Sequence, residues 1–384
     1  MAIASSLHRE VRLSLGEKFR QISWSLLLFV AAVAAIGFAM LYSAANGNFD
    51  PWASRQMVRF GIGIFLMIGA ALVDIRYWMR LAYPFYFVAL ALLGAVDVIG
   101  ADAMGAQRWI DLKVIQLQPS ELMKVGLILA LARYFHGIGT DRIHRIWLLF
   151  VPLVLVVAPV LLVLKQPDLG TAAMLLASGG AMFFLAGVRL WKFALVVVGG
   201  VGAVPLVWHF LRPYQRARIE IFLDPELDPL GKGYHSLQSK IALGSGGMFG
   251  KGWLLGTQSH LNFLPEKQTD FIFTMLAEEF GLVGGLILLT LYMLLLVYGV
   301  AIALRSRNQF GRLLAMGISV TFFLYVFVNI AMVMGLIPVV GVPLPLISYG
   351  GTAMLSILFA FGLIMSVYVH RDVRIGRTGI SPLA

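Results

Sequence analysis

Residues 22–42 read ISWSLLLFVAAVAAIGFAMLY, a run without a single charged side chain. A helix that crosses the hydrocarbon core of a bilayer needs about 20 apolar residues, so this stretch predicts a membrane span. It follows Arg9, Arg12, Lys18 and Arg20, is long for the apolar region of a secretory signal, and lacks a small-residue cleavage site. The reading is therefore a retained helix.

Working outward, nine further apolar runs lie between charge and turn clusters, at 57–74, 78–98, 120–136, 146–164, 170–188, 191–210, 271–304, 311–337 and 346–370. With 22–43 they predict an all-α, polytopic integral membrane protein of about ten transmembrane helices. Composition agrees: 60% of the 384 residues are hydrophobic and only 13% charged, too apolar for a soluble domain to cover with polar surface. Absence of cysteine excludes disulfides, thiolate metal sites and cysteine nucleophiles.

The net charge of +11 needs no nucleic acid to explain it. Most basic residues sit in the N-terminal tail and in the alternate short connections that share its side: Arg76 and Arg80; Arg133, Arg142 and Arg145; Arg189 and Lys192; Arg305, Arg307 and Arg312; Arg371, Arg374 and Arg377. By the positive-inside rule both termini are expected in the cytoplasm. The organisation expected is a tail at 1–21, a membrane domain at 22–371 and a second tail at 372–384. Between spans seven and eight, residues 211–269 form a long outer loop, and loops of such length are usually functional.

Five groups of residues carry chemical potential. Glu121 and Lys124, three apart at the start of span four, share a helix face and read as a structural ion pair or as the lining of a polar cavity. Asp168, after Gln166-Pro167 and before Leu169-Gly170-Thr171, opens a helix and reads as its N-terminal cap or as a site residue. Asp270 stands where the long loop meets span eight, with Glu278 and Glu279 further along; the helix macrodipole favours an acid there, and so does a catalytic base. Span eight, at about 34 residues, would be about 51 Å long, so its first turns are expected in a wet vestibule. Arg55, Arg108, Arg212, Arg216, Arg218, Lys240 and Lys251 form a dispersed basic set that is solvated individually and suits a pyrophosphate collectively. Leu344 to Thr352, with a proline, small residues and paired glycines, suggests an interrupted helix end or close helix packing.

Familiar sites are missing. The cluster Gly244-Ser245-Gly246-Gly247-Met248-Phe249-Gly250-Lys251-Gly252 has neither Walker A nor dinucleotide-binding spacing. The seven histidines show no zinc-binding pattern.

These residues resemble the SEDS family (shape, elongation, division and sporulation). The landmarks are Gly105-Ala106-Gln107-Arg108-Trp109, Gln118-Pro119-Ser120-Glu121, Gln166 to Thr171, Tyr214-Gln215-Arg216, Asp228-Pro229-Leu230-Gly231, Gln238-Ser239-Lys240, Thr269-Asp270-Phe271-Ile272-Phe273 and Pro345 to Gly351. The stretch Gly335 to Pro345 and the short N-terminal tail are similar to the elongation branch, RodA, rather than the division branch, FtsW. The resemblance implies a peptidoglycan glycosyltransferase that polymerises lipid II at the outer face of the cytoplasmic membrane, beside a class B penicillin-binding protein as partner.

It also puts the family's essential aspartate on Asp270. The substrate-contacting residues expected are Arg55, Arg108, Glu121, Lys124, Asp168, Gln215, Arg216, Lys240 and Ser348. No protein metal site or cofactor is called for, although a divalent ion is compatible with a pyrophosphate leaving group. Lys267-Gln268 departs from the basic-His pair common in such proteins. The competing expectation is a lipid II flippase, since intramembrane charges also suit a translocation path.

Overall fold

The computed structural model describes residues 14–103, 106–111, 116–138, 142–143, 145–210, 213–224, 232–261, 266–373 and 375–376. The chain begins with a short helix α1 (Leu15–Arg20), followed by α2 (Trp24–Ala44), α3 (Ala53–Leu72) and α4 (Ile75–Ile99). After three short strands come α5 (Pro119–Ile138), α6 (Ile146–Lys165), α7 (Leu169–Ala186) and α8 (Leu190–Phe210). The long connection holds α9 (Pro213–Leu223), α10 (Lys232–Ser245) and α11 (Thr257–His260), and the chain closes with α12 (Ile272–Arg305), α13 (Gln309–Val333) and α14 (Gly351–Val369).

Each of the ten expected spans falls on one helix. Eight of those helices are long and apolar enough to cross a membrane. The other two are α5, which carries Glu121, Lys124 and Arg133, and α8, whose apolar stretch among the described residues is the shorter Leu190–Ala203. The protein is thus a multi-pass membrane protein. α14 is buried along most of its length and lies at the centre, packed on α3, where Gly63 meets Leu358 and Gly362 meets the Met67 backbone. Small residues let the two backbones approach, the usual basis of helix association in lipid. Outer helices instead leave large apolar side chains such as Phe65, Phe150 and Leu195 exposed, facing the bilayer.

Three features depart from the expectation. The loop at 211–269, where the sequence predicts one short amphipathic helix near Ser236 to Leu243, holds three helices, α9, α10 and α11, of which α10 covers that stretch. A small antiparallel sheet, β1 (Ala101–Ala103), β2 (Ala106–Asp111) and β3 (Gln116–Leu117), decorates an otherwise all-α fold. Third, the spans expected at 311–337 and 346–370 are trimmed: residues 335–350 lie outside α13 and α14, with Gly335, Gly341 and Leu346 at positive φ.

Two local devices keep the backbone satisfied where the helices are interrupted. Prolines at 84, 152 and 159 remove helix donors and free the carbonyls four residues earlier. Each freed carbonyl is met by a side chain: Arg133 donates to Arg80 O at 3.0 Å, Tyr134 to Leu148 O at 2.7 Å and Tyr86 to Leu155 O at 2.8 Å.

The second device sits in α12, which breaks at Gly281 (φ 64°, ψ −162°), a conformation open essentially to glycine alone. The helical bonds from Leu282 and Val283 to Glu278 and Glu279 are lost there. Instead Leu282 N donates to Gly247 O (3.0 Å) and Val283 N to Met248 O (3.1 Å), while Glu278 O and Glu279 O accept from Lys251 N and Gly252 N at 3.0 Å. The glycine cluster therefore splices a broken helix. A β-carbon at Gly250 would stand 2.1 Å from Glu279 O, so the close approach requires glycine.

Candidate functional site

The segment 335–350, which joins α13 to α14, is the hub of the site. Ser348, buried, accepts from Leu344 N at 2.8 Å and donates through Oγ to Thr269 O at 2.6 Å. Tyr349 N donates to Gln268 O at 2.8 Å. On the other flank Asn329 of α13 donates through one amide nitrogen to both Asp270 O (3.0 Å) and Val342 O (2.7 Å). The short turn 266–271 that carries Asp270 is thus stitched to the hub on both sides. Tyr292 secures the hub from below, donating to Pro345 O at 2.7 Å.

Asp270 is half-buried at the head of α12, and its carboxylate faces Gly341, where an added β-carbon would lie 3.4 Å from Oδ2. The turn before it is held in an unusual conformation, with Glu266 at φ 51°. Backbone strain of this kind, overdetermined by surrounding hydrogen bonds, is a mark of functional segments. Lys267, three residues ahead of Asp270, is buried, and that burial pushes its ammonium below the usual lysine range.

Glu121 and Lys124 pair at 2.7 Å with both side chains about 95% buried, since their side-chain exposures are 4% and 5%. Tyr325 completes the group, donating its hydroxyl to Glu121 Oε2 while its ring lies 4.3 Å from the Lys124 ammonium. A narrow cavity of about 30 Å³ opens beside this trio. Asp168 caps α7 through Thr171, accepting from its N at 3.1 Å and its hydroxyl at 2.9 Å. Arg108 stands 3.7 Å from the same carboxylate and donates to Gln166 O and Pro167 O. The start of α7 touches the hub, where Gly170 packs against Val340.

The remaining sequence candidates are dispersed. Arg55 is exposed in the first turns of α3, Arg216 turns back to the carbonyls of Trp208 and His209, and the stem of Lys240 runs along Gly335. The side chains of Gln215 and Arg218 and the whole of Arg212 lie outside the described residues, as do the tails at 1–13 and 377–384. Among the described residues no group of three or more His, Asp or Glu side chains is placed to hold a metal ion.

Glu278 and Glu279 are fully buried at the spliced break rather than wet. Glu278 accepts from Lys251, Thr257 and the Gln258 amide, and Glu279 from Ser43. Sequence reading missed Tyr325 and Asn329, as well as Gln56, whose amide donates to Ser348 O at 3.0 Å. Their only signal is polarity inside apolar spans.

Comparison with known proteins fits this geometry. Residues 23–373 match the cell cycle protein family model that groups FtsW, RodA and SpoVE. The chain is 45% identical over 352 residues to the peptidoglycan glycosyltransferase MrdB of Escherichia coli (strain K12), covering 91% of this chain and 94% of that protein. It is 39% identical over 354 residues to the probable peptidoglycan glycosyltransferase FtsW of Trichlorobacter lovleyi, covering 89% and 92%.

Among solved structures it superposes with TM-score 0.79 and 36% identity on a chain from a peptidoglycan synthase complex that coordinates polymerization and crosslinking, covering 91% of this chain and 98% of that one. The rod shape determining protein RodA of Thermus thermophilus gives TM-score 0.70 at 33% identity, covering 92% and 98%. With a matching family model across nearly all of its length and relatives this similar, the chain belongs to the FtsW, RodA and SpoVE family of cell cycle proteins.

Proposed function

We propose that this family member polymerises lipid II into β-1,4 glycan strands, with Asp270 as the general base. The class of activity rests on the relatives: the chain shares 45% identity with a peptidoglycan glycosyltransferase across 94% of that protein's length, and it is itself a peptidoglycan glycosyltransferase of cell elongation.

The observation that carries the mechanism is the placement of one half-buried carboxylate, Asp270, at the head of a spanning helix on a turn fixed by Asn329 and Ser348. A fixed carboxylate within reach of a sugar hydroxyl is what general-base catalysis requires. In this reading the Asp270 carboxylate takes the proton from the 4-hydroxyl of the acceptor N-acetylglucosamine. That oxygen attacks C1 of the donor N-acetylmuramic acid, and the bond from C1 to the undecaprenyl pyrophosphate breaks. An α-linked donor giving a β-linked product needs a single inverting displacement, so one base suffices and no glycosyl-enzyme intermediate forms. Basic residues near the site, Arg108 and Lys240 among them, would stabilise the charge on the leaving pyrophosphate. Glu121, Lys124 and Asp168 shape the polar ground beneath it.

The distribution of basic residues supports cytoplasmic termini, which would set Asp270 at the outer face of the cytoplasmic membrane. A class B penicillin-binding protein is the proposed partner, on the strength of a structural neighbour that works within a complex coordinating polymerization and crosslinking.

The test is lipid II polymerisation by the purified protein with that partner, comparing wild type with Asp270→Asn at matched expression and thermal stability. Glycan strands from wild type alone are expected. Equal polymer from both would remove Asp270 as base and favour the lipid II transport reading.

A further inference from the structure

At the end of the bundle opposite Asp270, a second cavity of about 450 Å³ opens between the start of α2, the end of α12 and the end of α14. Its position follows from α12 itself, which starts beside Asp270 and runs 34 residues to Arg305. The lining divides by chemistry. Among the described residues Arg305 supplies the one charge of the lining, with no carboxylate beside it, and Ser23 and Ser25 supply hydroxyls. The floor is the apolar face of α12 formed by Val297, Ala301 and Ile302. Trp24, Tyr298 and Tyr368 provide aromatic walls between the two, the amphipathic rings that membrane proteins place at headgroup level.

Two neighbouring arginines share one carboxylate. Arg307 and Arg371 stand 3.2 and 3.8 Å from Asp372, and Arg371 also stacks over Tyr368. Among the described residues no carboxylate pairs with Arg305. A cavity with one cation and two hydroxyls at the polar level, and an apolar floor running toward the bilayer interior, matches an amphiphile with an anionic head. The geometry points to a binding site for one anionic phospholipid, its phosphate on Arg305 and the two serines and its acyl chains along Val297 and Ala301. Basic pockets between spanning helices bind anionic headgroups elsewhere by the same balance of charge and apolar depth.

The test is native mass spectrometry of the full-length protein released from detergent micelles, with phosphatidylglycerol or phosphatidylcholine added at matched concentration. Wild type should retain one phosphatidylglycerol in preference to phosphatidylcholine. Arg305→Gln should weaken that retention about fivefold, the loss expected for one basic contact to an anionic lipid. Ala301→Trp, which fills the floor without altering charge, should weaken it as well, while Arg307→Gln, outside the cavity, should not. Thermal unfolding of each variant checks that it is folded. Equal retention by Arg305→Gln, equal occupancy by phosphatidylcholine, or full displacement of the lipid by millimolar inorganic phosphate would each overturn the assignment, the last by identifying a soluble-anion site.

Discussion

Tyr325 and Asn329 stand four residues apart on one face of α13, and the first donates to the Glu121 carboxylate while the second donates to the backbone of Asp270. One helical turn, about 6 Å of rise, therefore connects the buried ion pair to the turn that bears the proposed base. Asn329→Leu keeps the branched shape and removes both donations. Turnover in lipid II polymerisation should fall about 10- to 100-fold with little change in KM, because a small displacement of a positioned group costs that much. Unchanged turnover would show that α13 does not hold Asp270 in place.

Gly341 tests the same positioning from the opposite side. Its φ of 73° disfavours any side chain, and a β-carbon there would reach 3.4 Å from Asp270 Oδ2. Gly341→Ala should lower both the unfolding temperature, through about 1–2 kcal/mol of left-handed backbone cost, and the polymerisation rate. Gly187→Ala, also at positive φ (96°) but with open space around it at the end of α7, should cost stability without crowding Asp270. If the two variants lose activity in proportion to their loss of stability, the contact at Asp270 has no separate effect.

The proline carbonyls give a prediction about stability alone. Tyr86→Phe and Tyr134→Phe each strip the donor from a carbonyl freed by a proline in α6. Each should cost about 1–3 kcal/mol, the penalty of leaving a buried acceptor unmade. The double variant should be close to additive, since the two carbonyls are separated by two helical turns. Thermal unfolding in detergent reads this directly, and a midpoint equal to wild type for both single variants would mean that the carbonyls find other partners.

The spans were legible because apolar length is a one-dimensional property: Ile22 to Tyr42 needs no neighbour to be read as a helix. Asp270, Glu121, Lys124 and Asp168 were legible as charges at helix ends, where their cost in lipid makes them informative. Gly281 was not, because a break inside a long apolar run leaves hydropathy unchanged, and the glycine cluster that repairs it lies about 30 residues away. For the same reason residues 335–337 and 346–350 read as span ends: Leu336, Ile337, Leu346 and Ile347 are as apolar as the helices on either side. The polar contacts of Gln56, Tyr325 and Asn329 each join positions far apart in the chain, a relation that spacing cannot show. Glu278 and Glu279 read as wet from helix length alone, and the spliced break buries them instead.

Whether Glu121 and Lys124 hold the fold or serve the substrate can be separated by removing the pair in two ways. Glu121→Gln leaves Lys124 charged and buried without its carboxylate, and breaking a buried pair from one side costs about 3–5 kcal/mol. That variant should unfold early and lose activity, which by itself decides nothing. The triple variant Glu121→Leu, Lys124→Met, Tyr325→Phe removes all three partners together, leaving no orphaned charge or hydroxyl, and apolar replacement of a buried ion pair is often neutral. Its unfolding temperature should return close to wild type. Polymerisation should not return with it if the pair serves the substrate, because the carboxylate, ammonium and hydroxyl that would meet it are gone. A triple variant that is both stable and fully active would assign the pair to the scaffold alone, and the substrate-contacting role would then rest on Asp168 and Arg108.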